Sequence, residues 1–231
     1  MLFEQIIEVL DPEPHAAALN MALDEVLLRQ AEKPTLRVYG WRGPAVSFGY
    51  FGNFATAHCA AAGREMVRRW TGGGLVEHGA DVTYTLVVPR SAGFFQHSAL
   101  ESYRLIHERI AQWLAGRGVA AAVAPGAAGG HSGACFAGHV RYDLVMDGGK
   151  VAGAAQRRTR WGLLHQGSIQ VPCHAVGDDG GSRLFPLQGA AKLAEVFADD
   201  VQQTEIAPAV HRAAEQIARD KYATNDWLRK F

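Results

Sequence analysis

Cysteine is scarce in this sequence. Its three thiols, Cys59, Cys135 and Cys173, are scattered and odd in number, and no C-x-x-C pair occurs. That argues against a secreted disulfide framework and against a cysteine-ligated zinc site, so no metal is expected. A surplus of one charge is also missing, since 23 basic residues stand against 23 acidic ones. A dedicated nucleic-acid binder would carry a basic excess, so no nucleic-acid partner is expected. No apolar run is long enough to cross a bilayer, and no membrane partner is expected either. The N-terminus, MLFEQIIEVLDPEP, lacks the basic segment, apolar stretch and small-residue cleavage site of a secretion signal. Repeats, heptads and linker-like composition are absent too. With 48% hydrophobic residues a sizeable core is within reach. The expectation is one cytoplasmic domain over residues 1–231.

Taken in order, residues His15 to Ala31 predict an amphipathic helix. Leu19, Leu23, Val26 and Leu27 form its apolar side, and Asp24, Glu25 and Arg29 face water. Leu36–Tyr39 and Ala45–Tyr50 read as strands joined by Trp41-Arg42-Gly43-Pro44, a turn by composition. Phe51 to Gly63 is irregular or a short alanine-rich helix, and Glu65 to Trp70 is a further strand. Val82 to Val88 alternates until Pro89. Ser98 with Glu101 forms a capping box for a helix to about Ala115. Val119 to Val123 is a short strand. Helices are expected over Ala190–Phe197 and Ala207–Ala218, with Pro208 suited to a first turn. Short strands mixed with a few helices, without strict βαβ alternation, predict an α+β domain with helices packed on one face of its sheets.

Chemistry concentrates in the stretch from Cys135 to Ile169. Val140 to Met146 alternates as a strand, with Tyr142, Leu144 and Met146 on one face and Arg141 and Asp143 on the other. Asp147-Gly148-Gly149 is a hairpin turn signal. Lys150 then opens the returning strand to Ala155, and Gly162 to Val171 forms the next, carrying His165 and Gln166. Ahead of them, Ala124 to Ala134 holds almost only Gly, Ala and Ser, a composition suited to a lid. Cys135 is a candidate nucleophile if His131, His139, Lys150 or His165 supplies a cation, and otherwise a small buried thiol. Cys173 is a rival thiol and Cys59 a structural one. Lys150 could steady a developing oxyanion, with Gly153, Gln156 and His165 on nearby strands.

Arg68-Arg69-Trp70-Thr71-Gly72-Gly73-Gly74 is a second candidate. Bare glycine backbone can approach a ligand closely, and the arginines suit a carboxylate or phosphate. It is neither a Walker loop nor a dinucleotide fingerprint. His78 follows closely, while Glu77 and Asp81 are taken as surface charges. Arg157, Arg158 and Arg160 form a basic cluster facing an acidic partner or water.

Together these motifs resemble the lipoate–protein ligase and octanoyltransferase family of the biotin/lipoyl ligase superfamily. The resemblance runs from about Asn20 to Val171. It is carried by Asn20-Met21-Ala22-Leu23-Asp24, by Leu36–Trp41 with Val46–Tyr50, and by Arg68–Gly74 with His78. Gly149-Lys150-Val151-Ala152-Gly153-Ala154-Ala155-Gln156 and Leu164-His165-Gln166-Gly167-Ser168 complete it. Gly79 stands where the family often has aspartate, and Gln166 where it usually has histidine.

The resemblance implies a biotin/lipoyl ligase-like domain with mixed or antiparallel sheets and no accessory C-terminal domain. It implies transfer of an octanoyl or lipoyl group from acyl carrier protein to a lysine of a lipoyl carrier domain or a glycine-cleavage H-type protein. Cys135 would be the nucleophile, as in the Gram-positive type of octanoyltransferase, and Lys150 would orient the acyl carbonyl. Arg69, Gly72, Gly73, Gly74, His78, Gly153, Gln156, His165 and Gly167 would bind substrate. Acyl transfer would need no cofactor. A ligase would use ATP and Mg with lipoate or octanoate, Lys150 and Arg69 bridging carboxylate and α-phosphate. A non-catalytic acyl- or carrier-binding protein is the third alternative.

Overall fold

A computed structural model describes residues 1–129, 138–170 and 192–231. Its strands are β1 (Phe3–Leu10), β2 (Thr35–Tyr39), β3 (Ala45–Phe48), β4 (Glu65–Arg68), β5 (Leu75–His78), β6 (Val82–Pro89) and β7 (Ala122–Val123). They continue with β8 (Ala128–Gly129), β9 (Gly138–His139), β10 (Leu144–Met146), β11 (Gly149–Arg158), β12 (Gly162–Ile169) and β13 (Ala198–Glu205). The helices are α1 (Ala17–Gln30), α2 (Phe54–Ala61), α3 (Ala99–Ala115), α4 (Pro208–Ile217) and α5 (Asn225–Leu228). The main sheet has eight strands in the order β13-β1-β2-β6-β12-β11-β10-β7, and a smaller sheet has the order β4-β3-β5. Parallel pairs join β1 to β13 and β2, whereas every pair from β2 through β6, β12, β11 and β10 to β7 is antiparallel. The architecture is the expected α+β one with mixed sheets.

Central strands β6 and β12 are buried on both faces, and the pleat sorts their side chains. Val82, Tyr84, Leu86 and Val88 join Leu163 and Ile169 in a core with Ile106, Ile110, Trp113 and Leu114 of α3. On the other face Val87 and Leu164 pack with Leu28 of α1. Helices therefore cover both faces, not one, because each face of a central antiparallel sheet carries apolar surface that must be covered. Of the polar residues expected on the outside of α1, Arg29 is exposed, but two are inside. Asp24 is fully buried and Glu25 1% exposed, the first bonded to Arg37, Thr85 and Gln166 and the second to Tyr222 and Lys221.

Local signals hold where they are chemical. Ser98 accepts from the Glu101 N–H at 3.1 Å and caps α3, and Pro208 opens α4. Asp147 (φ 51°) and Gly148 (φ 79°) form the two-residue turn between β10 and β11. Three expectations change. Val140 to Met146 is a strand only over Leu144–Met146, because Tyr142 adopts φ 73° in a turn that carries Asp143 inward. The helix over Ala190–Phe197 is a single 3-10 turn at Ala194–Val196 within the described residues. Cys59, read as structural, is exposed on α2.

Two histidines beneath α3 make the fold acid-sensitive. Burial pushes His107 down to about 4 from an ordinary 6.5, against the opposing pull of Asp143 and the Tyr142 carbonyl. Burial, together with His107, also holds His165 well below that ordinary value. Both are neutral in the folded chain and protonate in the unfolded one. Their contribution is therefore complete above about pH 6.5 and is lost as pH falls toward 4. His107 should cost about 1.4 kcal/mol per pH unit across that window, and His165 acts in the same direction. Urea midpoints compared at about pH 7 and about pH 5 test this; equal midpoints would contradict it.

Candidate active site

The site lies between the α1 side of the main sheet and the smaller sheet. Adjacent strands put residues in rows there, with Tyr39, Thr83, Ser168 and Gly153 in one row and Arg37, Thr85, Gln166 and Ala155 in the next. Ser47, Val76, His78 and Gly73 face these rows across a cavity of ≈ 30 Å³. That is room for about a few water molecules. Met21, Tyr39 and Trp41 complete an apolar end.

Lys150 reaches this wall because the β10–β11 ladder slips. Leu144 pairs with Ala152 but Val145 pairs with Lys150, leaving Val151 as an extra residue on β11. Val151 and Ala152 consequently both enter the α3-side core. The bulge turns Lys150 from that face to the one carrying Gly153. A Cβ on Gly153 would overlap Cε and Nζ of Lys150 and lie 3.1 Å from Asp143 Oδ1. Gly153 lines the cavity, and the ammonium stands beside that stretch of its wall, paired with Asp143 Oδ2 at 2.8 Å.

His78 is locked in a polar frame. Its Nδ1–H donates to Asp81 Oδ2 at 2.9 Å, leaving Nε2 to accept from the Ser47 hydroxyl at 2.6 Å. Trp41 stacks on the imidazole with centroids 4.0 Å apart and donates to Thr83 Oγ1 at 2.8 Å. Asp81 is thus no surface charge; it is 3% exposed and also accepts from Ser168 and Thr83. Burial opposes its ionisation, but His78, Ser168 and Thr83 outweigh burial and hold the carboxyl below the ordinary carboxylate range.

Both arginines of the glycine motif serve the scaffold. Arg69 donates to Ser47 Oγ at 2.7 Å and to the Gly72 and Gly74 carbonyls at 3.0 and 2.9 Å. Arg68 is fully buried and binds four carbonyls, those of Tyr50, Gly52, Trp227 and Leu228. The loop presses so close to β3 that a Cβ on Gly49 would overlap Gly73 O. Gln166 donates to Asp24 Oδ2 and accepts from Thr71 Oγ1, both at 2.7 Å, tying the loop to α1.

Arg69, Gly73, His78, Gly153 and Gly167 all line the cavity. Gly72 and Gly74 flank Gly73 and anchor Arg69. His165 and Gln156 lie on the opposite, α3 face. There Gln156 donates to His165 Nδ1 at 3.0 Å, so that Nε2–H donates to the Tyr84 hydroxyl oxygen at 3.0 Å. The pleat likewise divides the arginine cluster. Arg157 reaches the Trp70 carbonyl on one side, and Arg158 the Phe95 and His97 carbonyls on the other. Cys135, Cys173, His131 and residues 130–134 of the Ala124–Ala134 segment lie outside the described residues; Ala124 is buried and pairs with Tyr142 and Asp143. Asp24, Asp81 and Asp143 are the site residues that reading the residues missed. Asp24 alone carried a signal, as the last residue of the Asn20–Asp24 motif.

This arrangement of sheets and helices is the fold of lipoate ligase catalytic domains. The bi-partite lipoate protein ligase of Thermoplasma acidophilum, described with its E2 lipoyl domain, superposes with a TM-score of 0.70. The match covers 99% of this chain and 97% of that one, at 20% identity. A lipoate-protein ligase A bound with ATP also gives 0.70, over 98% and 99%, at 19% identity. The family model of the lipoyl protein ligase A/B catalytic domain matches residues 16–207, and the chain belongs to that family.

Within the family the chain resembles octanoyltransferases of the LipM type. That of Kyrpidia tusciae is 39% identical over 169 residues, covering 67% of this chain and 62% of the relative. That of Bacillus subtilis is 37% identical over 170 residues, 66% and 60%. The first relatives are thus matched over about three fifths of their own length. The protein of Carboxydothermus hydrogenoformans aligns over 94% of this chain and 96% of its own, at 30% identity.

Proposed function

We propose that this protein is an octanoyltransferase that moves an octanoyl or lipoyl group from acyl carrier protein to a lysine of a lipoyl carrier domain. The observation that carries the reading is the Lys150 ammonium, turned by a bulge onto the wall of a largely apolar cleft. Likeness to the LipM octanoyltransferases supports the same chemistry. In the first step the Cys135 thiolate attacks the carrier-bound thioester carbonyl. A new S–C bond forms, the carrier thiolate leaves, and it takes up a proton. In the second step the acceptor lysine amine attacks the Cys135 thioester, forming an amide and releasing the thiol. Lys150 holds the acyl oxygen in both steps and steadies its developing negative charge. The tail lies along Gly73 and Ala155 toward His78 and Trp41.

The ligase alternative asks Arg69 to bridge an α-phosphate, yet that guanidinium is engaged on Ser47, Gly72 and Gly74. This favours transfer over ligation. Incubation with octanoyl-carrier protein should add one octanoyl mass to the wild type and none to Cys135→Ser. Without a lipoyl domain that adduct should persist; with one, the mass should move to the domain. Acylation only with lipoate and ATP, with pyrophosphate released, would instead make it a ligase. Octanoate binding with no lysine acylated under either condition would make it a binding protein.

A further inference from the structure

The buried polar group on α3 has no place in the transfer steps, and its geometry converges on Lys150. Tyr103 and His107 stand one turn apart on α3, on the side facing the residue 140–143 turn. His107 Nδ1–H donates to the Tyr142 carbonyl at 2.6 Å. Tyr142 itself sits at φ 73°, a conformation that side-chain-bearing residues adopt at a cost and that persists only where the surroundings impose it. The consequence of that turn is that Asp143 points inward, with 0% of its surface exposed.

There it accepts from the Val140 N–H at 2.8 Å and from the Tyr103 hydroxyl at 2.5 Å. The same Tyr103 oxygen accepts from the Ala154 N–H at 2.9 Å. It thereby substitutes for a neighbouring strand at a point of β11 that β10 does not reach. Asp143 is thus fixed from both sides, and its Oδ2 holds Lys150 Nζ.

We propose that Asp143 is a positioning residue that holds the Lys150 ammonium at the cavity wall, and that Tyr103 holds Asp143 in place. The inference rests on the role given to Lys150 above. A lysine on a four-carbon stem has many rotamers; a buried carboxylate, itself held by the Val140 N–H and the Tyr103 hydroxyl, restricts them. Asp143 pairs with Lys150 and Tyr103 with Asp143, so the effect of each is expected to pass through Lys150.

The test uses the full chain, an octanoyl-carrier protein thioester and a lipoyl domain, with rates normalised to folded protein. Asp143→Asn should lower kcat by about 10- to 100-fold, with KM for the donor changed by less than about 3-fold. Tyr103→Phe should lower kcat by about 3- to 10-fold in the same pattern. In a Lys150→Met background Asp143→Asn should change the residual rate by less than about 2-fold, because both act through one group. A wild-type kcat in Asp143→Asn beside an inactive Lys150→Met overturns the inference and leaves the reading of Lys150 standing. An active Lys150→Met takes both down. Should Asp143→Asn fail to fold, Tyr103→Phe carries the test, and an unchanged kcat there overturns it.

Discussion

Arg37→Leu is expected to lose about 3–5 kcal/mol of stability, the cost of removing one partner from a buried charge network. Arg37 is fully buried. Its guanidinium reaches Asp24 Oδ1 at 2.7 Å, Asp11 Oδ2 at 2.7 Å and Asn20 Oδ1 at 2.6 Å. Leucine would leave the Asp24 carboxylate in the interior with its counter-charge gone. Set against a typical total of 5–15 kcal/mol, a loss of that size amounts to a large share of folding free energy. The melting temperature should fall by roughly 10 °C, at the few degrees per kcal/mol typical of this chain length. The signature is in the pH dependence. Without Arg37, burial raises the Asp24 carboxyl further, so the folded variant takes up its proton before the unfolded chain does. The gap between variant and wild type should therefore narrow on acidification. A gap that is constant or widens between about pH 7 and about pH 5 would contradict the assignment.

Gly153→Ala separates activity from stability. The added methyl meets Cε and Nζ of Lys150 first, the mobile end of a long side chain, and Asp143 next. The backbone is not in its way, so the fold should lose no more than the roughly 1–3 kcal/mol of ordinary overpacking. The ammonium, however, must leave the cavity wall. Displacement of a reacting group by an ångström costs about 100-fold in rate, and a fall of that order is expected in octanoyl transfer. Kinetics on the folded variant measure it, beside a melting curve. Full activity would mean that Lys150 works from elsewhere, and the bulge geometry would lose its functional meaning.

Signals that act over a few residues were legible before any coordinates. The Ser98 cap, the Asp147-Gly148 turn, Pro208 and the alternation of Val82–Val88 each act through backbone chemistry within one or two turns. The glycine motif, the Lys150 strand and the family they resemble were legible for the same reason, since they are contiguous runs. The strand Phe3–Leu10 was not. Phe3, Ile6 and Val9 are its most buried residues, a spacing of three that imitates a helix on a strand bordered by polar β13. Ala198–Glu205 is almost wholly exposed, so no apolar alternation marks it and only pairing with β1 makes it a strand.

The chain's composition and motifs thus decide its class, its family likeness and which lysine is interesting. They are silent on where that lysine points. Strict alternation would group Lys150 with Ala152, Ala154 and Gln156 beneath α3; one extra residue at Val151 moves it to the cavity side. They are equally silent on Asp24, Asp81 and Asp143, each a polar residue with exposed-looking neighbours and each buried. Burial and bulges arise from pairing between segments far apart in the chain, so their energies belong to the assembled sheets.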